Sequence, residues 1–297
     1  MGRIMVGISS WAEPELVRSG FYPAEVTTPE ARLRYYATRL NLAEIDSSYH
    51  YFPTQRNLKL WLDNTPDGFT FNVKAFSLFT QHPTPFSSLP RTIREKYASQ
   101  IKAKGNVYLH HLPDAAVVEL WSILIRTIES FRQEGKLGAV LFQLPPWFHP
   151  EPKNFDYLSS CREKLSLYQM AVEFRVGSWL DKYREETLKF LRAHEIALVC
   201  VDEPQGFKSS VPPVAEVTSP LAIVRFHGRN KENWERKGIP ATEKFDYLYH
   251  EDELKEWVPR IHTMTEASKE LHVIFKNKHI DFPIQNAIQM KELLHLT

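Results

Sequence analysis

The chain has 297 residues, 43% of them hydrophobic, with a formal net charge of +1. That length lies near the size of one large barrel domain, and the composition fills a core without a second domain. The charge excludes a strongly basic surface, so any nucleic-acid role has to rest on a local patch. Two cysteines, Cys161 and Cys200, cannot make a disulfide framework, and neither a basic-then-apolar leader nor an apolar stretch of about 18 residues is evident. The expectation is a cytoplasmic protein with no membrane partner.

Eight short apolar runs follow one another along the chain: Ile4 to Ser9, Leu42 to Ser47, Phe69 to Lys74, Ala139 to Gln143, Met170 to Arg175, Ala197 to Asp202, Leu221 to His227 and His272 to Asn277. Each is of strand length and rich in Val, Ile or Phe, and most end on polar or charged residues. Between them lie amphipathic segments of helical period. Thr28 to Leu40 starts with a Thr cap and a Pro at the first helical position, and Gln55 to Asn64 carries Leu58, Trp61 and Leu62. Further helices are expected over Ala115 to Glu134, Tyr157 to Leu165, Glu185 to His194, Asp252 to Lys269 and Ile284 to Leu294. Strand, helix, strand at this cadence predicts parallel pairing with right-handed crossovers, hence a single-domain α/β (β/α)8 TIM barrel. A doubly wound open sheet is the alternative, and the absence of a Gly-rich phosphate turn counts against it.

The third crossover, about residues 75–137, is much longer than the others and is expected to carry an excursion over the mouth. It holds His82 and a basic stretch of Arg91, Arg94, Lys96, Lys102 and Lys104, interrupted by Glu95, which reads as a solvated helical face. The seventh, about residues 228–251 with Trp234, Arg236 and Lys237, is a second candidate lid.

Residues two apart share a strand face. Glu44 lies with Asp46, Asn72 with Lys74, Glu173 with Arg175, Arg225 with His227, and Phe275 with Asn277. A helix-covered outer face should be apolar, which turns these charged faces into the barrel, where they need partners or a ligand. One reading is a self-satisfied plug, with Glu44 or Glu173 paired to Arg225. The other is a site, built at the C-terminal strand ends as such barrels build theirs.

The candidate set for a site is Asp46, Glu173, Asp202 and His227 as base, acid or ligand, with Lys74, Arg175, Arg225, Arg229, Gln143 and Asn277 binding substrate. Trp11, Tyr49, Trp179 and Trp234 flank strand ends and offer flat surfaces for a sugar or base. The three acids and one imidazole suit a divalent metal, although no local ligand spacing supports one. Paired carboxylates suit glycosidic chemistry. The cations suit an anionic substrate with no metal, and Lys74 could form a Schiff base if desolvated.

The blocks Val6-Gly7-Ile8-Ser9-Ser10-Trp11, Phe21-Tyr22-Pro23, Tyr35-Tyr36-Ala37, Ala43-Glu44-Ile45-Asp46-Ser47-Ser48-Tyr49, Phe71-Asn72-Val73-Lys74-Ala75, Leu141-Phe142-Gln143-Leu144-Pro145-Pro146, Val172-Glu173-Phe174-Arg175, Ser178-Trp179 and Val224-Arg225-Phe226-His227-Gly228-Arg229 together resemble the YecE-like family, domain of unknown function 72. The match runs in order from Ile4 to Asn286-Ala287. The resemblance implies a TIM barrel of the broad type shared with xylose isomerase and endonuclease IV, and supplies no reaction. The chain departs from the family pattern with Asp46 in place of Asn, Val176 in place of His, Ser10 in place of Gly, Phe275-Lys276-Asn277 in place of Phe-Asn-Asn, and Gln81 splitting a threonine-histidine pair.

The expectation is an enzyme, a hydrolase or isomerase with a possible divalent metal and no nucleotide cofactor, acting on an anionic or hydroxylated substrate such as a sugar phosphate. The competing expectation is a non-catalytic binder that uses the same mouth for a nucleic acid or a metabolite.

Overall fold

The computed structural model describes residues 2–101 and 105–296, so Lys102 and Lys104 of the basic stretch lie outside the described residues. Eight strands form the barrel: β1 (Arg3–Ser9), β2 (Leu42–Ile45), β3 (Thr70–Lys74), β4 (Leu137–Gln143), β5 (Met170–Glu173), β6 (Ala197–Asp202), β7 (Leu221–Phe226) and β8 (Glu270–Phe275). Every neighbouring pair is parallel, and β8 closes onto β1 with Phe275 opposite Ile8. Closure bears out the TIM barrel and removes the open sheet.

Seven labelled helices follow the strands: α1 (Pro29–Ala37), α2 (Gln55–Asp63), α3 (Asp114–Gln133), α4 (Pro152–Lys164), α5 (Arg184–Ala193), α6 (Val258–Glu266) and α7 (Phe282–Leu293). The Thr28 side chain accepts from Ala31 N at the start of α1, and Thr54 accepts from Asn57 N at the start of α2, so each relieves an orphan N–H of a first turn. The crossover between β6 and β7 has no helix among its described residues. Pro204, Pro212, Pro213 and Pro220 explain this, because each removes an N–H and pushes its predecessor away from helical dihedrals.

The long third crossover carries a two-residue antiparallel ladder, Thr84–Pro85 against Asn106–Val107, then a short helix Arg91–Lys96 and finally α3. Its described basic residues Arg91, Arg94 and Lys96 have local partners. Arg91 pairs with Glu95 at 2.6 Å, Lys96 with Glu119, and Arg94 Nε donates to Leu89 O.

Strand register decides which side chains enter the barrel. Arg225 lies beside Val201 on β6 and Ile274 on β8, and Glu44 lies beside Ser9 and Asn72. The inward set therefore includes Ser9, Glu44, Asn72, Lys74, Gln143, Glu173, Arg225 and, one step past β8, Lys276. Phe226 and Phe275 face outward and stack at 4.6 Å under the helices. Near the N-terminal end, His272 Nδ1 lies 3.1 Å from Asn72 Oδ1, which also accepts from Ala139 N. Gly138 leaves room for them, since a Cβ there would press into both side chains.

Candidate functional site

The centre of the barrel is ionic and buried. Arg225 donates through one terminal nitrogen to Glu44 Oε1 at 2.6 Å and through the other to Glu173 Oε2, and all three side chains are fully buried. Burial alone would raise the Glu173 carboxyl, but the Arg225 guanidinium outweighs it and holds the group well below the usual carboxylate range. Glu44, Glu173 and Arg225 pair as the plug reading supposes, but Glu44 Oε2 and Arg225 Nε have no hydrogen-bond partner among the described residues, so the network is not fully self-satisfied. They set the floor on which the mouth is built.

Above that floor the inward residues divide between two sides. On the β8, β1, β2 and β3 side, Asp46 Oδ1 accepts from Lys74 Nζ at 2.9 Å and from Lys276 Nζ at 3.3 Å, and Lys276 also reaches Ser9 Oγ at 3.2 Å. Burial would raise the Asp46 carboxyl, yet Lys276 and Lys74 together hold it well below its ordinary value. Burial pushes the Lys276 ammonium down to about 8 against the pull of Asp46, with Lys74 and Arg225 pushing the same way as burial. The Lys74 ammonium lies 4.6 Å from the Tyr49 ring centre, a cation–π contact.

On the β5, β6 and β7 side, Arg175 NH1 bridges Glu203 Oε2 at 2.7 Å and Glu173 Oε1 at 3.2 Å, and its guanidinium lies 4.8 Å from the Trp234 ring. Glu203 Oε1 accepts from Val211 N at 2.8 Å. Burial outweighs Arg175 and raises the Glu203 carboxyl to about 7. His227 Nε2 is 3.1 Å from Glu173 Oε1 but off the line of a directed hydrogen bond, so neither ring nitrogen has such a partner. Burial pushes His227 down to about 3, which keeps the ring neutral. Trp234 Nε1, also buried, has no partner among the described residues either. Buried polar atoms without partners cost free energy unless a ligand or water meets them.

His82, from the excursion, hangs over this mouth. Its ring lies 5.4 Å from Tyr49 and 5.8 Å from the exposed Trp147. Thr80 Oγ1 donates to Ser77 O, so at 2.9 Å it accepts from His82 Nδ1, which leaves Nε2 as the lone-pair nitrogen. Burial, with Lys74 and Arg175 nearby, lowers His82 to about 4. Gln81, which separates Thr80 from His82, has φ 62°, and Ser10, beside the mouth, has φ 80°. That conformation favours glycine, a physical reason for the Gly usual at Ser10 in the family pattern.

Several expected residues lie elsewhere. Asp202 points outward, one step off the face of Val201: it accepts from Arg229 twice, at 2.9 and 2.7 Å, from Tyr249 OH at 2.8 Å and from Trp257 Nε1 at 2.7 Å. Arg229 is held further by Glu256 at 2.8 Å and Glu253 at 3.3 Å. Asn277 likewise faces α7, donating to Tyr247 O and to Asn286 Oδ1. The face shared by Phe275 and Asn277 is the outer one, and Lys276 is the residue that enters. Trp11 packs on the outer layer, edge-on to Trp61 at 5.8 Å, and Trp179 is stacked on Phe174 at 4.2 Å. Gln143 is inward beside Glu173. Glu173 and His227 meet at 3.1 Å, whereas Asp46 lies on the other side of the mouth and Asp202 outside the barrel wall, and among the described residues no three of His, Cys, Asp and Glu are grouped as metal ligands.

Glu203, Lys276 and Ser9 were absent from the residue set expected from sequence. Glu203 follows the sixth run directly, and extending the parity of Val199 and Val201 by one step would have placed it inside. Lys276 was visible as a departure from the family pattern, as was Asp46. The two departures are in contact.

The architecture is that of a single-domain (β/α)8 barrel with a charged C-terminal mouth, the arrangement on which barrel enzymes build their sites. The family model described as protein of unknown function DUF72 matches residues 5–297, and the chain belongs to that family, as its motifs led one to expect. The UPF0759 protein YunF of Bacillus subtilis is 31% identical over 99% of this chain and 95% of its own. Among solved structures, a DUF72 family protein of Thermotoga maritima is 32% identical with a TM-score of 0.75, covering 99% of both chains. One from Enterococcus faecalis has a TM-score of 0.79 at 24% identity, covering 99% of this chain and 96% of its own, a likeness of fold. No helix among the described residues is long and apolar enough to cross a membrane.

Proposed function

We propose that this protein is an enzyme of the hydrolase or isomerase type, whose barrel mouth takes a small anionic or hydroxylated substrate such as a sugar phosphate. The observation that carries the reading is that two ammonium groups, Lys74 and Lys276, share one carboxylate oxygen of Asp46. Each ammonium has three N–H donors, so this arrangement keeps donors and positive charge available for an anion. Across the mouth, Arg175 orients the substrate, Glu203 gives or takes a proton near neutral pH, and the neutral His227 ring and Trp234 Nε1 meet hydroxyl groups. His82 Nε2 accepts a hydrogen bond from above. Arg225 and Glu173 hold this geometry from below and do not touch substrate.

A nucleic-acid reading gains no support from the exposed basic helix, because Arg91 and Lys96 are already paired with Glu95 and Glu119. The test is to incubate the protein with glucose 6-phosphate, ribose 5-phosphate and glyceraldehyde 3-phosphate and follow each by NMR, with Glu203→Gln alongside. Turnover of one compound, lowered about 100-fold in the variant, is expected for loss of a proton-transfer group. Binding without turnover in any of them leaves a metabolite-binding protein. No binding at all removes the reading.

A further inference from the structure

Anion binding alone does not explain why the second of the two ammonium groups, Lys276, is buried on an Asp46 oxygen that Lys74 already holds. Lys74 already offers Asp46 a short ion pair and stacks on Tyr49, and a second ammonium on the same oxygen adds like-charge repulsion. Lys276 is buried, 7% exposed, and among the described residues its ammonium has only Ser9 Oγ and the shared Asp46 Oδ1 as hydrogen-bond partners. Arg225 lies below it. We propose that Lys276 is a nucleophile that forms a Schiff base with the carbonyl carbon of an aldehyde or keto sugar phosphate whose phosphate is held by Lys74. This rests on the reading of the mouth as an anion site and narrows its substrate to a carbonyl compound.

Geometry supplies the other parts of the step. Asp46 Oδ1 lies 3.3 Å from Lys276 Nζ and its carboxylate remains partly exposed, so it reaches both the amine and an incoming carbonyl group. The ammonium first passes one proton to Asp46 or to solvent. The nitrogen lone pair then forms the C–N bond while the carbonyl π pair moves to oxygen, and a proton crosses from nitrogen to that oxygen to give a carbinolamine. The hydroxyl takes back the first proton and leaves as water as the nitrogen lone pair forms C=N. An ammonium and a carbonyl thus become an iminium and water, with no oxidant or reductant. Ammonium and iminium both carry their positive charge opposite Asp46, with the neutral amine and carbinolamine between them, so the ion pair that holds the lysine also holds the product. The depressed affinity of Lys276 for its proton makes the free amine accessible near neutral pH.

The experiment uses the whole protein with dihydroxyacetone phosphate and sodium cyanoborohydride, which reduces an imine to a stable secondary amine, followed by peptide mass mapping. Glycerol 3-phosphate, which has no carbonyl, is titrated separately by calorimetry. The expected result is one reduced adduct on the peptide containing Lys276, lost in Lys276→Met and in Lys276→Arg. The arginine variant keeps the charge and is the control should the methionine variant fold poorly. Glycerol 3-phosphate binding with no adduct above the level of surface lysines overturns the Schiff base and leaves the anion site standing. An adduct that survives in Lys276→Arg also overturns it. If neither compound binds, the reading of the mouth fails and the inference falls with it.

Discussion

Asp202 and Glu203 are consecutive residues, both 3% exposed, and they face opposite sides of the barrel wall. Asp202, outside, accepts from Arg229, Tyr249 and Trp257 and so has a donor in each direction. Glu203, inside, has Arg175 and one backbone N–H, and its neighbours His227 and Trp234 keep ring nitrogens without partners. Burial is therefore a poor guide to function among charged residues. What separates a structural carboxylate from a working one is whether its surroundings are saturated, because a saturated group has nothing to offer a ligand.

The largest expected effect lies in the floor beneath both. Arg225→Met leaves Glu44 and Glu173 as buried carboxylates without their shared cation and is expected to cost about 3–5 kcal/mol in denaturant unfolding. Adding Glu44→Gln and Glu173→Gln should recover most of that loss. A triple variant no better than the single one would mean that the three do not act as a unit.

Asp202→Asn comes next. Every partner of Asp202 is a donor, so an amide NH2 there meets donors on all sides, at an expected cost of about 2–3 kcal/mol. Sugar phosphate binding by the folded variant should be unchanged. Altered binding would bring Asp202 back into the site and erase the contrast.

Glu203→Gln sharpens the comparison through pH. The Glu203 carboxyl is raised in the fold from 4.5 to about 7, so the native state holds a proton that the unfolded chain has released. Its contribution to stability is present below about 4.5 and is lost as pH rises through about 7. The stability of Glu203→Gln relative to the parent should therefore improve by about 1–3 kcal/mol between pH 5 and pH 8. A difference that does not change over that window would place Glu203 among ordinary surface-like acids.

The barrel was legible because its outer strand faces are apolar and its crossovers carry helical periodicity, two signals that need no long-range information. Inward placement of Glu44, Glu173 and Arg225 followed from the same alternation. Legibility stopped at the strand ends. Asp202 and Asn277 were read as mouth residues because they end apolar runs, but whether a terminal residue faces in or out depends on register: Arg225 beside Val201 and Ile274 turns Asp202 and Phe275 outward and Lys276 inward. His82 was read as an ordinary loop histidine because its approach to Tyr49 depends on a turn after β3, where Ser77 N donates to Tyr49 O and His82 N to Ser77 O, a contact between neighbouring strand ends that no local pattern encodes. The saturation of Asp202 likewise rests on Tyr249 and Trp257, which come from distant parts of the chain.

The most direct test is calorimetric titration of ribose 5-phosphate into the parent, Lys74→Ala and Asp202→Asn, each first shown to be folded by its melting transition. The anion site predicts binding to the parent and to Asp202→Asn with equal affinity, and a loss of at least about tenfold in Lys74→Ala. Binding that survives in Lys74→Ala and disappears in Asp202→Asn would contradict the division between a saturated outer wall and an inner site.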